Sequence, residues 1–157
     1  MEGIAEIRGG LAAVEPTGVR IRRPYYLASL AEASAWAGEI EQGLTALVEA
    51  ARVVEETGER RWEAEICRLT GELTLARRSG DGTEAEGWFQ RALDVAGCQS
   101  AKCLELRAAT SLARIWRDRG KRRESRDLLA PIYGWFTEGF DTLDLKQAKS
   151  LLDELAQ

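Results

Sequence analysis

Histidine is absent from this chain, so the side chains left to carry chemistry are carboxylates, three cysteines and clustered arginines. That absence removes the commonest general base, the commonest zinc ligand and the usual pH switch together. Paired acids such as Glu63/Glu65 and Asp153/Glu154 have the residue types of a hydrolytic acid and base, but they read as solvated helix faces. Cys67, Cys98 and Cys103 are odd in number and irregularly spaced, which is no disulfide framework. They read as reduced thiols, and a zinc site would need a fourth Cys or His. Gly80–Asp81–Gly82 with Gly87 lacks both the spacing of a phosphate-binding loop and a preceding strand, and reads as a turn. Asp81, Glu84 and Glu86 lack the EF-hand spacing and read as dipole partners in a helix's first turn. No catalytic residue, metal ligand or cofactor is therefore assigned.

The arginine clusters are the other candidates: Arg117–Arg123 (RDRGKRR), with Arg22/Arg23, Arg60/Arg61 and Arg77/Arg78. Basic residues near helix C-termini complement the helix dipole, which accounts for Arg77/Arg78 and Arg117/Arg119. An anion- or acidic-peptide-binding edge at Arg117–Arg123 is the alternative, and its role stays open. The net charge of −4 argues against a nucleic-acid partner. No apolar run approaches the ~20 residues of a membrane span, and the N-terminus lacks a charged-then-apolar signal. The expectation is a soluble, cytoplasmic chain with no membrane partner.

These residues must be held by helices. Ile4, Ile7, Leu11 and Val14 recur at steps of three and four over 3–15, and Pro16 with Gly18 ends that helix. This segment reads as the trailing helix of a truncated hairpin, with its leading helix expected upstream of Met1. Pro24 opens the next helix, with Tyr26, Leu27, Leu30, Ala31, Ser34 and Ala37 inward and Gly38 as a left-handed cap. From about Glu39 the inward residues are Leu44, Leu47, Val48, Ala51 and Val54. Trp62, Ile66, Leu69, Leu73 and Ala76 mark a third long helix. Ser79–Gly82 is a strong turn signal, and Thr83 with Glu86 has the form of a capping box. Trp88, Phe89, Ala92, Leu93 and Ala96 face inward after it. Leu104, Ala108, Leu112, Ile115 and Trp116 do so over about 101–119. Leu128, Leu129, Ile132, Tyr133 and Phe136 follow Gly120, with a kink expected near Asp127–Pro131 because proline lacks the backbone donor. A final stripe of Leu145, Ala148, Leu151, Leu152 and Leu155 closes the chain.

The pattern repeats. Ala31–Gly38–Leu47–Ala50, Gly71–Ala85–Phe89–Ala92 and Ala113–Gly120–Leu129–Ile132 place small and bulky apolar residues at recurring offsets. Ala31 to Gly71 is 40 residues and Gly71 to Ala113 is 42. A period in that range marks a solenoid, whose hairpins bury their apolar faces only against one another. The expected units are 22–58, 60–97 and 101–137, between the trailing helix at 3–15 and a capping helix at 142–156. The fold class is all-α: a right-handed α-solenoid of about eight helices in one domain. Most of the tryptophans read as inter-hairpin core. Trp36 falls off the inner stripe and is expected outside.

Small residue, turn, small residue, bulky apolar residue, small residue resembles the tetratricopeptide repeat. Here the period is longer than the usual ~34, and an aromatic late in the first helix occurs only at Trp116. A wider resemblance covers nearly the whole chain. RRPYYLASLAEA (22–33), TGERRWEAEICRLTGEL (57–73) and the long stretch from Glu105 to Leu155, including YGWFTEGFDTLDL, resemble the C-terminal tetratricopeptide region of large bacterial multidomain proteins. Those proteins join class III adenylate cyclase or transcriptional-regulator modules to an AAA-type, STAND-like ATPase. The resemblance implies a regulatory repeat region that senses a partner, and it supplies no cyclase or ATPase residues, since no G-x-x-x-x-G-K-[ST] loop occurs.

In that family the first helix of each hairpin lines a concave groove. Mapped by helical phase, the partner-binding candidates here are Tyr25, Glu32 and Trp36, then Glu65, Arg68 and Glu72, then Arg107, Arg114 and Arg117. An aromatic anchor among orienting charges is what peptide recognition needs. The expected function is protein or peptide binding with no enzymatic activity. The partner is a separate protein or another domain of a parent chain. The rival readings are a self-associating scaffold, with homodimerisation open, and a small all-α enzyme.

Overall fold

Helix-forming runs punctuated by glycine and short polar turns fold as the periodicity implies. The computed structural model describes residues 2–18, 20–77 and 82–156, and among them the secondary structure is helical throughout. The elements are α1 (Glu2–Val14), a short 3-10 turn (Glu15–Thr17), α2 (Arg23–Trp36), α3 (Ile40–Thr57), α4 (Glu63–Ala76), α5 (Thr83–Cys98), α6 (Lys102–Asp118), α7 (Arg122–Tyr133) and α8 (Leu143–Leu155). The Ser79–Gly80–Asp81 turn and Arg78 lie outside the described residues.

The pairs α2/α3, α4/α5 and α6/α7 pack as hairpins, and each hairpin packs on the next in chain order. Contact between first helices runs on from α2 to α4, from α4 to α6 and from α6 to α8. Among the described residues α3, α5 and α7 make no comparable backbone approach to one another. First helices closer together than second helices make the stack curve, with α2, α4, α6 and α8 on the inner side. The molecule is thus an all-α helical-repeat stack.

Close approach within and between the hairpins explains the small residues. At Gly43 a Cβ would lie 2.9 Å from Leu73 Cδ1 and 3.2 Å from the Ala31 carbonyl oxygen. The matching residue of the third hairpin is Ser125, which is fully buried and donates its hydroxyl to the Ala113 carbonyl at 2.8 Å. In the middle hairpin the ring of Phe89 lies directly on Gly71. Two turns use the same left-handed cap. Gly38 (φ +79°) precedes a Glu39 N–H to Ser34 carbonyl bond of 2.8 Å, and Gly120 (φ +78°) precedes a Lys121 N–H to Trp116 carbonyl bond of 2.8 Å. Ser100, at φ +54°, takes that place between α5 and α6.

Two apolar clusters result. One joins α1 to α4 through Leu27, Ala31, Leu47, Val54, Ile66 and Leu73. The other joins α4 to α8 through Cys67, Phe89, Leu106, Leu112, Leu129 and Leu151. Helix α4 is the wall they share. The expected stripe of α8 is borne out, with Leu145, Ala148, Leu151 and Leu155 buried.

Several expectations change. The apolar spacing puts Val48 inward, yet it is 72% exposed, because α3 turns that edge towards the gap beside α5. Tyr26, Ala37, Ala51 and Ala76 are also exposed. Most of the tryptophans are expected in the core, but Trp135 is 58% exposed, since the chain has already left α7. Glu86 does not reach back to cap α5: it accepts a bond from Trp116 Nε1 at 2.7 Å and pairs with Arg119. The Trp116 bond, followed by the Arg119 guanidinium, holds the Glu86 carboxyl below its ordinary value against the opposing effect of burial.

Candidate functional site

Steps of three and four residues put Glu32 and Trp36 on one face of α2, Glu65, Arg68 and Glu72 on one face of α4, and Arg107, Ser111 and Arg114 on one face of α6. On α8, Asp144 and Gln147 occupy the corresponding face. Stacking of the first helices brings these four faces together.

At their centre is a ladder of ion pairs. The Arg68 side chain is 9% exposed and grips Glu65 bidentately, with Nε to Oε2 at 3.0 Å and Nη2 to Oε1 at 2.7 Å. Its Nη1 reaches Glu72 Oε1 at 3.4 Å, and its Nη2 lies 3.9 Å from Glu32 Oε1. Arg107 enters from α6, with Nη1 on Glu65 Oε1 at 2.9 Å, Nη2 on Glu32 Oε1 at 3.4 Å and Nε 3.7 Å from Asp144 Oδ1. The Ser111 hydroxyl donates to Glu72 Oε1 at 2.6 Å. Burial alone would lower the Arg68 pKa, but the Glu65 hydrogen bonds, with the Glu65, Glu72 and Glu32 charges, raise it. Glu65 and Arg68 were expected to orient a partner. They are instead buried struts that tie α2, α4 and α6 together.

Beside the ladder lies a cleft of about 180 Å³, walled by α2, α4, α6 and α8. Glu32, Trp36, Arg68, Arg107 and Arg114 line it, so five of the nine sequence-assigned residues meet there. Trp36 is 84% exposed, as its helical phase implied, and Leu143 is an exposed apolar residue on the α8 wall. Arg114 donates from Nη2 to the neutral Gln147 Oε1 at 3.0 Å. Arg117 lies one turn further along α6 and pairs with Glu154 of α8 at 2.7 Å. Its pKa is raised by its hydrogen bond to Asp118, against desolvation, with Glu154 adding to the effect. Tyr25 is elsewhere, at the start of α2, with its ring 4.7 Å from that of Trp62.

Sequence reasoning missed Ser111, Leu143, Asp144 and Gln147. Their signal was present: α8 occupies the place of a fourth first helix, and Asp144 and Gln147 have first-helix spacing. Treating α8 only as a cap hid it.

Among the described residues no three Cys, Asp or Glu side chains converge as metal ligands, and no helix is long and apolar enough to cross a membrane. No protein-family model matches the chain, and no curated protein matches it significantly.

Proposed function

We propose that this chain is a protein- or peptide-recognition module of tetratricopeptide type, serving as the sensor region of a larger bacterial signalling protein. The observation that carries the reading is the four-walled inner cleft, in which a solvent-exposed indole stands beside groups left available for a partner. Trp36 and Leu143 offer apolar anchorage. Arg114 has a neutral partner within the chain, so an incoming acceptor meets no competing carboxylate there. The half-exposed carboxylates of Glu32 and Asp144, which line the cleft, would accept backbone N–H groups or a basic side chain. The ion-pair ladder beneath keeps these groups in place, which lowers the ordering cost of binding.

Peptide display on the folded chain tests the proposal, with the Trp36→Ala/Arg114→Gln variant as the counter-target. Both side chains lie outside the buried clusters, so the variant keeps the fold. Enriched peptides should bind the parent chain at least about tenfold more tightly, as expected when an aromatic anchor and a charge are removed. Peptides that bind both equally would refute the inner cleft as the recognition site. Light scattering over a concentration series adds a second check: a dimer that closes over Trp36 would do the same.

A further inference from the structure

The inner cleft is short of positive charge, and the shortage falls on its two outer walls. Four carboxylates, Glu32, Glu65, Glu72 and Asp144, share this face with three guanidiniums, Arg68, Arg107 and Arg114. The deepest acid is fully served. Glu65, its side chain 7% exposed, takes two nitrogens of Arg68 and Nη1 of Arg107. The wall acids are not. Glu32 has only long contacts, 3.4 Å to Arg107 and 3.9 Å to Arg68, both at Oε1. Its Oε2 accepts no hydrogen bond among the described residues. Asp144 accepts none at either oxygen, and its ion-pair contact is Arg107 Nε at 3.7 Å, beyond hydrogen-bond reach. Both side chains are about two-fifths exposed, so an incoming group can reach them.

Trp36 stands one turn beyond Glu32 on α2, and Leu143 adjoins Asp144 on α8. Each wall therefore pairs an under-neutralised carboxylate with an exposed apolar side chain. An indole face attracts a cation, and so does the carboxylate beside it. An anion would find Arg114, but it would enter between two acids already short of partners. The opening of about 180 Å³ is smaller than the ~300 Å³ of the smallest usual small-molecule pockets, and suits a single side chain. Lysine fits better than arginine. A guanidinium forks onto both oxygens of one carboxylate, but Glu32 Oε1 is already taken by Arg107. An ammonium is a compact charge with three donors, and single oxygens satisfy it.

We propose that the occupant of the inner cleft is a lysine side chain of an extended partner segment. Its ammonium meets Glu32 and Asp144, its methylene stem packs on Trp36 and Leu143, and Arg114 donates to a main-chain carbonyl of the segment. This names the chemistry of the partner, and it rests on the recognition role proposed above for the same cleft.

Peptides are selected from a random displayed library on the folded chain, and those that lose affinity for the Trp36→Ala variant are synthesised with a fluorophore. Fluorescence anisotropy then follows each in three forms, with its lysine intact, acetylated or replaced by arginine. The selected peptides should share a lysine and bind more weakly at high salt. Acetylation should cost at least about tenfold, and arginine about threefold. Asp144→Asn should weaken the intact peptide about three- to tenfold and leave the acetylated form unchanged, because only the intact form brings a charge to Asp144. Glu32→Gln should do the same from the other wall. Asp144 lies outside the buried clusters, so its variant tests the site even if Glu32→Gln loosens the ladder. The proposal is overturned if the Trp36-dependent peptides lack lysine, if the acetylated or arginine form binds as tightly, or if Asp144→Asn weakens intact and acetylated forms equally. Each of those results leaves the cleft as a recognition site for a different partner. If no selected peptide depends on Trp36, the recognition role itself falls, and the lysine site with it.

Discussion

Alanine at Gly71 tests the close packing on which the hairpin stack depends. Gly71 lies in mid-α4, under the fully buried ring of Phe89 from α5. A Cβ there would stand 2.5 Å from Phe89 Cε1, 2.8 Å from Cδ1 and 3.0 Å from Cζ. Carbon atoms in contact prefer ~3.5–4.0 Å, so the ring would have to move by about 1 Å. It has little room, because Ala85, Ala92, Leu112 and Leu129 pack in the same cluster. Overpacking of this kind costs about 1–3 kcal/mol, against which alanine gains up to ~1 kcal/mol in helix propensity. The expected net loss is about 1–2 kcal/mol, or a Tm lower by roughly 2–8 °C at this chain length. Gly87 in α5 is the control. It is exposed and a Cβ there meets nothing within 4 Å. Gly87→Ala should therefore gain up to ~1 kcal/mol. Thermal and urea unfolding followed by far-UV circular dichroism measures both. Phe89→Leu in the Gly71→Ala background should recover part of the loss, because the shorter side chain vacates the overlap. If Gly71→Ala is as stable as Gly87→Ala, the close-approach argument is wrong.

Two further outcomes are expected. Arg68→Met leaves the buried Glu65 carboxylate with Arg107 as its remaining ion-pair partner, and should cost about 2–4 kcal/mol by urea unfolding, somewhat less than a fully orphaned charge. A loss below ~1 kcal/mol, the range of a surface pair, would show that the ladder is not a strut. Burial pushes the Cys67 thiol up to about 11 from an ordinary 9.0, whereas Cys98 and Cys103 are exposed. A thiol reagent at mildly alkaline pH should modify Cys98 and Cys103 quickly and Cys67 only after unfolding, and rapid modification of all three would contradict the packing around α4.

Helix number, hairpin pairing and most of the core were legible in the sequence, since apolar spacing and glycine caps are local signals that act within one or two turns. Leu27, Ala31, Phe89 and Leu129 are buried as their phase implied. The inner face was legible only in part. Phase placed Glu65 and Arg68 on the correct side of α4, but whether a side chain on that side meets solvent depends on how closely α2 and α6 approach. Val48 and Trp135 illustrate the same gap. Their residue type favours burial, but the neighbour that would cover them is absent at that point of the stack.

The sequence by itself determined that this chain forms helices, where they turn, and which stripe of each is apolar. Covalent neighbours and helical period settle those matters without reference to distant residues. Only the tertiary structure decided which charges are struts and which stay available. Arg68 and Arg107 find carboxylates 36 to 75 positions away, or on their own helix, through the stacking of α2, α4, α6 and α8. Arg22 and Arg61 have no such partner among the described residues. An ion pair depends on distances of a few ångströms between helices, and the spacing of residues along the chain does not encode them.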